Sequence, residues 1–310
     1  MKKIGIIAAA GLGDALTLLI AAHRYHLASY AVTLFSTPLA SFSLWLPSIL
    51  LKNHPSSVDE LLEFDTLLLQ YDNTQRSKEI FSLRKRGKDL LLFYNRYTSG
   101  KHPPLLLGND FPFDETKPMA DNVAISIQSL LHLPAPSKET GLTPPQGLVF
   151  KKYPNRVVLH PTSSSQEKNW KPKRFLSLAR KLFFLHKHPV FALHPEERVN
   201  WLFLQDHGFS IPVLPTVSDL AALIYESGYF IGGDSGPGHL ASLLGLPQLT
   251  IASGEKNLQH WQPGWRKSYL ITPPSWIPKR LKIRRRHWQS FISAKRVVKT
   301  FAKIMNATLE

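Results

Sequence analysis

Tyr229-Phe230-Ile231-Gly232-Gly233-Asp234-Ser235-Gly236-Pro237-Gly238-His239-Leu240-Ala241 is the stretch on which the fold reading turns. An apolar, strand-like segment enters a polar, glycine-rich turn, and the turn enters the helical pattern Leu240 to Gly245. Backbone N–H groups at such a turn stay unpaired, and with the positive end of the helix dipole they form a site for phosphate or pyrophosphate. Gly236 and Gly238 let an anion approach the backbone closely, and His239 can add a side-chain donor. Asp234 and Ser235 also have a plainer reading as helix caps, but the glycines and the histidine exceed what a cap requires.

Working outward, strands alternate with helices. A strand over 3–9 passes through Gly11-Leu12-Gly13-Asp14 into an apolar helix over 15–28, followed by a strand at 31–35. Strand-like runs recur at 66–69 and 90–93, and 122–133 reads as helix. Residues 134–149 break the rhythm with four prolines and two glycines, which marks a linker. A second series follows: strand 156–159, helix 172–184, strand 190–193, helices near 196–207 and 218–227, then the strand before Asp234. An amphipathic stretch, 288–305, closes the chain. Such alternation predicts parallel sheets covered on both faces, in two domains, 1–149 and 150–310. Two doubly wound halves of this kind bind ligand at the carboxyl ends of their strands.

Composition narrows the chemistry. With no cysteine among 310 residues, disulfides, thiolate nucleophiles and zinc–sulfur sites are excluded. The apolar start breaks at Gly11, so it reads as a buried strand rather than a signal peptide, and no apolar run reaches the roughly 20 residues of a membrane span. The net charge of +16 favours anionic partners, and the densest basic cluster runs from Lys279 to Trp288. The thirteen histidines show no metal-ligand spacing, so no metal site is expected.

Three further constellations carry candidate chemistry. The turn Gly11-Leu12-Gly13-Asp14-Ala15-Leu16 fails the dinucleotide fingerprint, because Leu16 stands where the third glycine belongs and Asp14 would repel pyrophosphate. The same Asp14 suits a general base, held ionised near a helix start, with an N-cap as its plainer reading. His160-Pro161-Thr162-Ser163 through Lys168 offers hydroxyls and a mobile cation for phosphate, or else a serine-rich loop. Glu196 and Glu197 can accept hydrogen bonds from ribose hydroxyls, or simply favour the helix dipole.

Together these segments resemble glycosyltransferase family 9, the lipopolysaccharide heptosyltransferases. The resemblance rests on Gly11 to Leu16, Lys168-Asn169-Trp170-Lys171-Pro172-Lys173-Arg174-Phe175, Asp234 to Ala241, and Gly254 through Trp261-Gln262-Pro263-Gly264-Trp265. It implies a GT-B fold, two Rossmann-like doubly wound domains facing a cleft, with acceptor on the first and nucleotide-sugar on the second. It implies Asp14 as the base, with Gly11 and Gly13 on the acceptor side. Thr162, Ser163 and Lys168 would meet the diphosphate, as would the turn of Asp234, Ser235, Gly236, Gly238 and His239, and Glu196 or Glu197 the ribose. No cofactor or metal is implied beyond a nucleoside-diphosphate sugar as donor, ADP-heptose being the candidate. The acceptor would be an anionic glycolipid, met in the cytoplasm at the inner face of the bacterial inner membrane through the basic C-terminal region. Gly238, where the family often carries Met, and the lack of a His near Lys117-Pro118-Met119-Ala120 depart from the family pattern. Two other readings compete: a basic, two-domain nucleic-acid-binding protein, although no nucleic-acid motif is present and none is expected as partner, and a non-catalytic nucleotide-sugar binder.

Overall fold

The computed structural model describes residues 1–254, 258–277 and 287–307. The chain forms two compact units, Met1–Gln146 and Gly147–Glu310. In the first, β1 (Lys3–Ile7), β2 (Ala31–Phe35), β3 (Leu50–Lys52), β4 (Thr66–Tyr71), β5 (Asp89–Tyr94) and β6 (Asp110–Pro112) form one parallel sheet. Its spatial order is β3-β2-β1-β4-β5-β6. The strands are short apolar runs with side chains alternating between two covered faces. Ile7, Leu67, Leu69, Leu90 and Leu92 share a core with Ile80 of α2 (Gln75–Ser82). Ile4, Ile6, Leu68 and Leu91, of opposite parity, are also buried. On this opposite face α1 (Leu12–Leu27) packs against α3 (Met119–Leu130).

The second unit repeats the plan with β7 (Tyr153–His160), β8 (His188–Phe191), β9 (Ser227–Gly233), β10 (Gln248–Ile251) and β11 (Ser268–Ile271), in the order β11-β10-β9-β7-β8, all parallel. One face is covered by α4 (Pro172–Phe184), the 3₁₀ segment Val199–His207 and α9 (Ala294–Ala307), whose Val297, Phe301 and Ile304 join the same core as Phe175, Leu178 and Leu182. The helices α6 (Val217–Tyr225) and α7 (Gly236–Leu243) pack together against β9. Two short helices complete the unit, α5 (Pro195–Arg198) and α8 (Leu258–Trp261).

These strand orders position the sites. In the first sheet the chain turns away from β1 to β2 and β3, then returns to β4 on the other side of β1. In the second, β7 is flanked by β8 and β9. At each reversal the loops leaving neighbouring strands diverge and open a crevice at the carboxyl ends. The first crevice lies beyond β1 and β4, the second beyond β7 and β9.

Local differences from the sequence reading have physical causes. The helix read from Asn122 starts at Met119, because the Asn122 amide reaches back to the Asp114 backbone N–H (2.8 Å) and carbonyl (3.0 Å) and locks the preceding loop. The helix read over 196–207 is one α turn followed by 3₁₀ helix, whose buried residues Trp201 and Leu204 lie three apart, the 3₁₀ repeat.

Candidate functional site

Asp14 sits in the first turn of α1, beyond the carboxyl end of β1, and it is not a cap: Gly11 occupies the N-cap position and no side chain caps the helix. Its carboxylate is held from the neighbouring strands. Oδ1 accepts hydrogen bonds from Nε2 of Gln70 (3.1 Å) and Nδ2 of Asn95 (2.9 Å). Gln70, fully buried near the end of β4, accepts the Ala9 N–H on Oε1 (3.1 Å), which fixes its amide with the nitrogen towards Asp14. The same nitrogen donates to Oδ1 of Asn95 (2.8 Å). Both amide ends of Gln70 are thereby used, and Asp14 has one orientation.

Both of these side-chain bonds fall on Oδ1. Oδ2 hangs over Gly11, where a Cβ would lie 2.5 Å from it. Burial pushes the Asp14 carboxyl up to about 6, opposed by the Asn95 and Gln70 bonds and reinforced by the negative charge of Asp72. Burial thus outweighs the helix dipole, which by itself would favour the ionised form. Burial raises Asp72 as well, but bonds from Ser77 and Thr74 outweigh it and hold this carboxyl below the ordinary range, so it keeps its charge. A carboxylate poised near 6 is mostly ionised at neutral pH, yet basic enough to take a proton.

His54 follows β3 at the same carboxyl end of the sheet. Its Nε2 lies 2.9 Å from the Ala8 carbonyl and its Nδ1 3.0 Å from Oγ1 of Thr37. Burial lowers its pKa, and it feels both Arg76 and Asp72. Sequence reasoning missed Gln70, Asn95, Asp72 and His54. Each is a polar residue at the end of an apolar strand or in the loop beyond one, which is the signal that could have found them.

In the second unit the predicted residues gather beyond β7 and β9. Ser235 is the N-cap of α7, but no side chain caps the helix: the Ser235 hydroxyl lies 3.4 Å from the Gly233 carbonyl. The capping reading of Ser235 therefore fails, and within the turn the Gly238 N–H bonds the Ser235 carbonyl (3.0 Å). Nζ of Lys168 lies 3.4 Å from Oδ2 of Asp234, which brings the two sequence motifs together. A small recess beside them is lined by Gly233, Asp234, Ser235, Gly238, Gln262 and Pro263.

The two glutamates separate. Oε2 of Glu197 accepts the Thr162 hydroxyl (2.7 Å), whereas the Glu196 side chain is 90% exposed. Ser163 turns inward, with Oγ 2.9 Å from the Ser165 carbonyl and 2.7 Å from Oδ1 of Asn169. His239 is also turned inward. It is buried and lowered in pKa by that burial, its ring bonds the Trp261 backbone, and it meets Trp265 edge to face at 6.5 Å. It ties the start of α7 to the Trp261–Trp265 segment. Among the described residues, no three His, Asp or Glu side chains gather as a metal site would require. The basic run Lys279 to Arg286 lies outside the described residues.

Residues 126–273 match the sequence profile of glycosyltransferase family 9 (heptosyltransferase). A search of curated proteins finds no match. Among solved structures, the chain is similar to a family 9 glycosyl transferase from Veillonella parvula, at 16% identity and a TM-score of 0.73, over 99% of this chain and 98% of that one. It is equally similar in fold to E. coli ADP-heptose lps heptosyltransferase II, at 14% identity and a TM-score of 0.73 over the whole of both chains. E. coli heptosyltransferase WaaC, solved with ADP, follows at 12% identity and a TM-score of 0.71, over 97% of this chain and 99% of that one. The two parallel-sheet units are thus the α/β fold of GT-B glycosyltransferases. Residues 126–273, 148 of the 310, thus carry the likeness to glycosyltransferase family 9, and the solved structures extend the likeness of fold over the whole chain.

Proposed function

We propose that the protein is an inverting glycosyltransferase that moves a heptose from a nucleoside-diphosphate donor, ADP-heptose, to a lipopolysaccharide core-type glycolipid. The observation that carries this reading is the Asp14 carboxylate, oriented by Gln70 and Asn95 and raised to about 6. A helix-start aspartate that merely capped would not be buried in an amide network across three strands' loops. The same observation tells against a non-catalytic nucleotide-sugar binder, and the family match does not favour a nucleic-acid-binding protein.

On this reading the first unit binds the acceptor, with Gly11 and Gly13 giving it room at the base. Oδ2 of Asp14 takes the proton of an acceptor hydroxyl as its oxygen attacks the anomeric carbon. The bond to the nucleoside diphosphate breaks from the opposite side, so the configuration inverts. The departing diphosphate gains charge, which Lys168 and the amides of Ser235 and Gly236 at the start of α7 stabilise, while the Gly238 N–H is taken by the Ser235 carbonyl (3.0 Å) and Gly238 serves by its lack of a side chain. Asp234 holds Lys168 until the donor arrives, Thr162 and Ser163 shape the phosphate side, and Glu197 meets the ribose. Glu196 faces solvent and contributes charge alone, and His239 supports the turn from inside. No metal enters the scheme. The enzyme works in the cytoplasm at the inner face of the inner membrane, where its lipid-borne acceptor is found, and the basic excess of the chain supports an anionic acceptor.

The test is a panel of nucleoside-diphosphate sugars offered with a lipopolysaccharide-core acceptor, read by release of nucleoside diphosphate and by the anomeric configuration of the product. Turnover confined to a heptose donor, with inversion, is expected. Transfer with retention, or no binding of any nucleoside diphosphate by calorimetry, would refute the reading.

A further inference from the structure

The net positive charge of the protein is almost confined to one unit. Met1–Gln146 carries 14 Lys and Arg against 13 Asp and Glu, whereas Gly147–Glu310 carries 24 against 9. Within the second unit no carboxylate occurs between Glu167 and Glu196, the stretch that contains α4, and none within α9, which packs against α4.

The end of α4 adds an apolar feature to this basic surface. The helix buries Phe175, Leu178, Ala179 and Leu182, the i, i+3, i+4, i+7 stripe that seats it on the sheet. Phe183 and Phe184 fall about 100° and 200° round from Leu182, so the helical repeat that seats α4 turns them away from the core. Phe183 is 62% exposed, Phe184 80% and Leu185 42%. The chain then reverses at His186, whose φ of 55° closes the tip. Arg180 and Lys181 stand exposed one turn back, and Lys295, Lys299 and Lys303 form an exposed row at i, i+4, i+8 along α9. Two adjacent phenylalanines in water cost stability and return no packing, which marks the tip as a contact surface. Aromatic and leucyl side chains with Arg180 and Lys181 one turn behind them, on the unit that holds the basic excess, fit one partner: a bilayer with anionic headgroups, whose interface takes the rings while its charge meets the cations.

We infer that the Phe183-Phe184-Leu185 tip of α4 docks the protein on anionic membrane, with Arg180, Lys181 and the α9 lysines as its electrostatic collar. The inference rests on the reading of a lipid-borne acceptor for its purpose, but its geometry is separate from the Asp14 and Lys168 sites.

The experiment is flotation of the full chain with vesicles of phosphatidylcholine alone or with about a third phosphatidylglycerol. Wild type should bind the anionic vesicles and hardly the neutral ones. F183S/F184S should lose about tenfold or more of that binding at every salt concentration, since it removes apolar contact. R180Q/K181Q should lose a similar amount at low salt and progressively less as salt rises. Because all four side chains are exposed, both variants should keep wild-type melting and full transfer to a soluble acceptor. Equal binding of wild type and F183S/F184S overturns the inference, as does a wild-type dimer that the same variant dissociates, or a preference for single-stranded nucleic acid over vesicles. Vesicle binding through the tip by a protein that transfers no sugar would sink the functional reading and leave this one standing. Sugar transfer without vesicle binding would do the reverse.

Discussion

The Asn95 amide nitrogen lies 2.9 Å from Oδ1 of Asp14, across 81 residues of sequence. Asn95 follows β5 and Asp14 follows β1, two strands that never touch, since β4 lies between them. Gln70 of β4 bridges them, donating to both. Three parallel strands therefore converge on one carboxylate, and the ionisation of that carboxylate should respond to each neighbour with a definite sign.

Replacing Asp14 by Asn removes the proton acceptor while keeping shape and hydrogen bonds. Transfer should fall about 10²–10⁴-fold, with nucleoside-diphosphate affinity unchanged. Stability should move the other way. The folded pKa, about 6, exceeds the ordinary 3.8, so the group favours the fold fully below pH 4 and that contribution is lost as pH rises through 6. At pH 8 the ionised Asp14 costs on the order of 1–2 kcal/mol, after discounting for its residual exposure. Urea unfolding should find Asp14→Asn more stable than wild type at pH 8 and indistinguishable near pH 4. A variant less stable at both pH values would show that burial does not set the Asp14 pKa.

The acid limb of kcat/KM should sit near pH 6 and move with the network. Asn95→Ala removes a bond that favours the charged form, so the limb should shift to higher pH. Asp72→Asn removes a like charge, so the limb should shift to lower pH. Shifts of the same sign in both variants would break the assignment of this limb to Asp14.

Gly11 has an ordinary φ of −78°, so its need for glycine is steric. A methyl group there would press on Oδ2 of Asp14 and displace it. Gly11→Ala should fold normally and lose about 10²-fold in kcat, the cost of a reacting group moved by about 1 Å. Wild-type kcat would mean that Oδ2 is not the working atom.

Lys168→Ala should weaken nucleoside-diphosphate binding and slow turnover together, because the contact strengthens as the leaving group gains charge. A charge-assisted bond of about 1.5–3 kcal/mol corresponds to roughly 10–100-fold in affinity. Calorimetry with the free diphosphate would measure it, and unchanged affinity would remove Lys168 from the site.

The glutamates give a paired comparison. Glu197→Gln should reduce donor affinity several-fold and leave the affinity for inorganic pyrophosphate unchanged, since its part is towards the ribose. Glu196→Gln should alter neither. Equal losses in both variants would mean that the Thr162–Glu197 bond does not select the glutamate.

Local sequence determined the alternation of strand and helix, the boundaries of α4 and the two polar turns, because helix and strand periods and glycine-rich turns are properties of a few consecutive residues. Asp14 and the Asp234–Ser235–Gly236 turn were legible for the same reason: each follows a buried strand and opens a helix. Tertiary structure decided what those turns meet. That Gln70 and Asn95 grip Asp14 depends on β4 lying between β1 and β5, and strand order is fixed by crossovers of 13 to 23 residues that leave no local mark. Burial chose Glu197 over Glu196 and turned His239 inward, since both choices depend on which neighbour excludes water. The value of about 6 at Asp14 has the same origin, for a carboxylate at a helix start is acidic by sequence and is made basic by what packs over it.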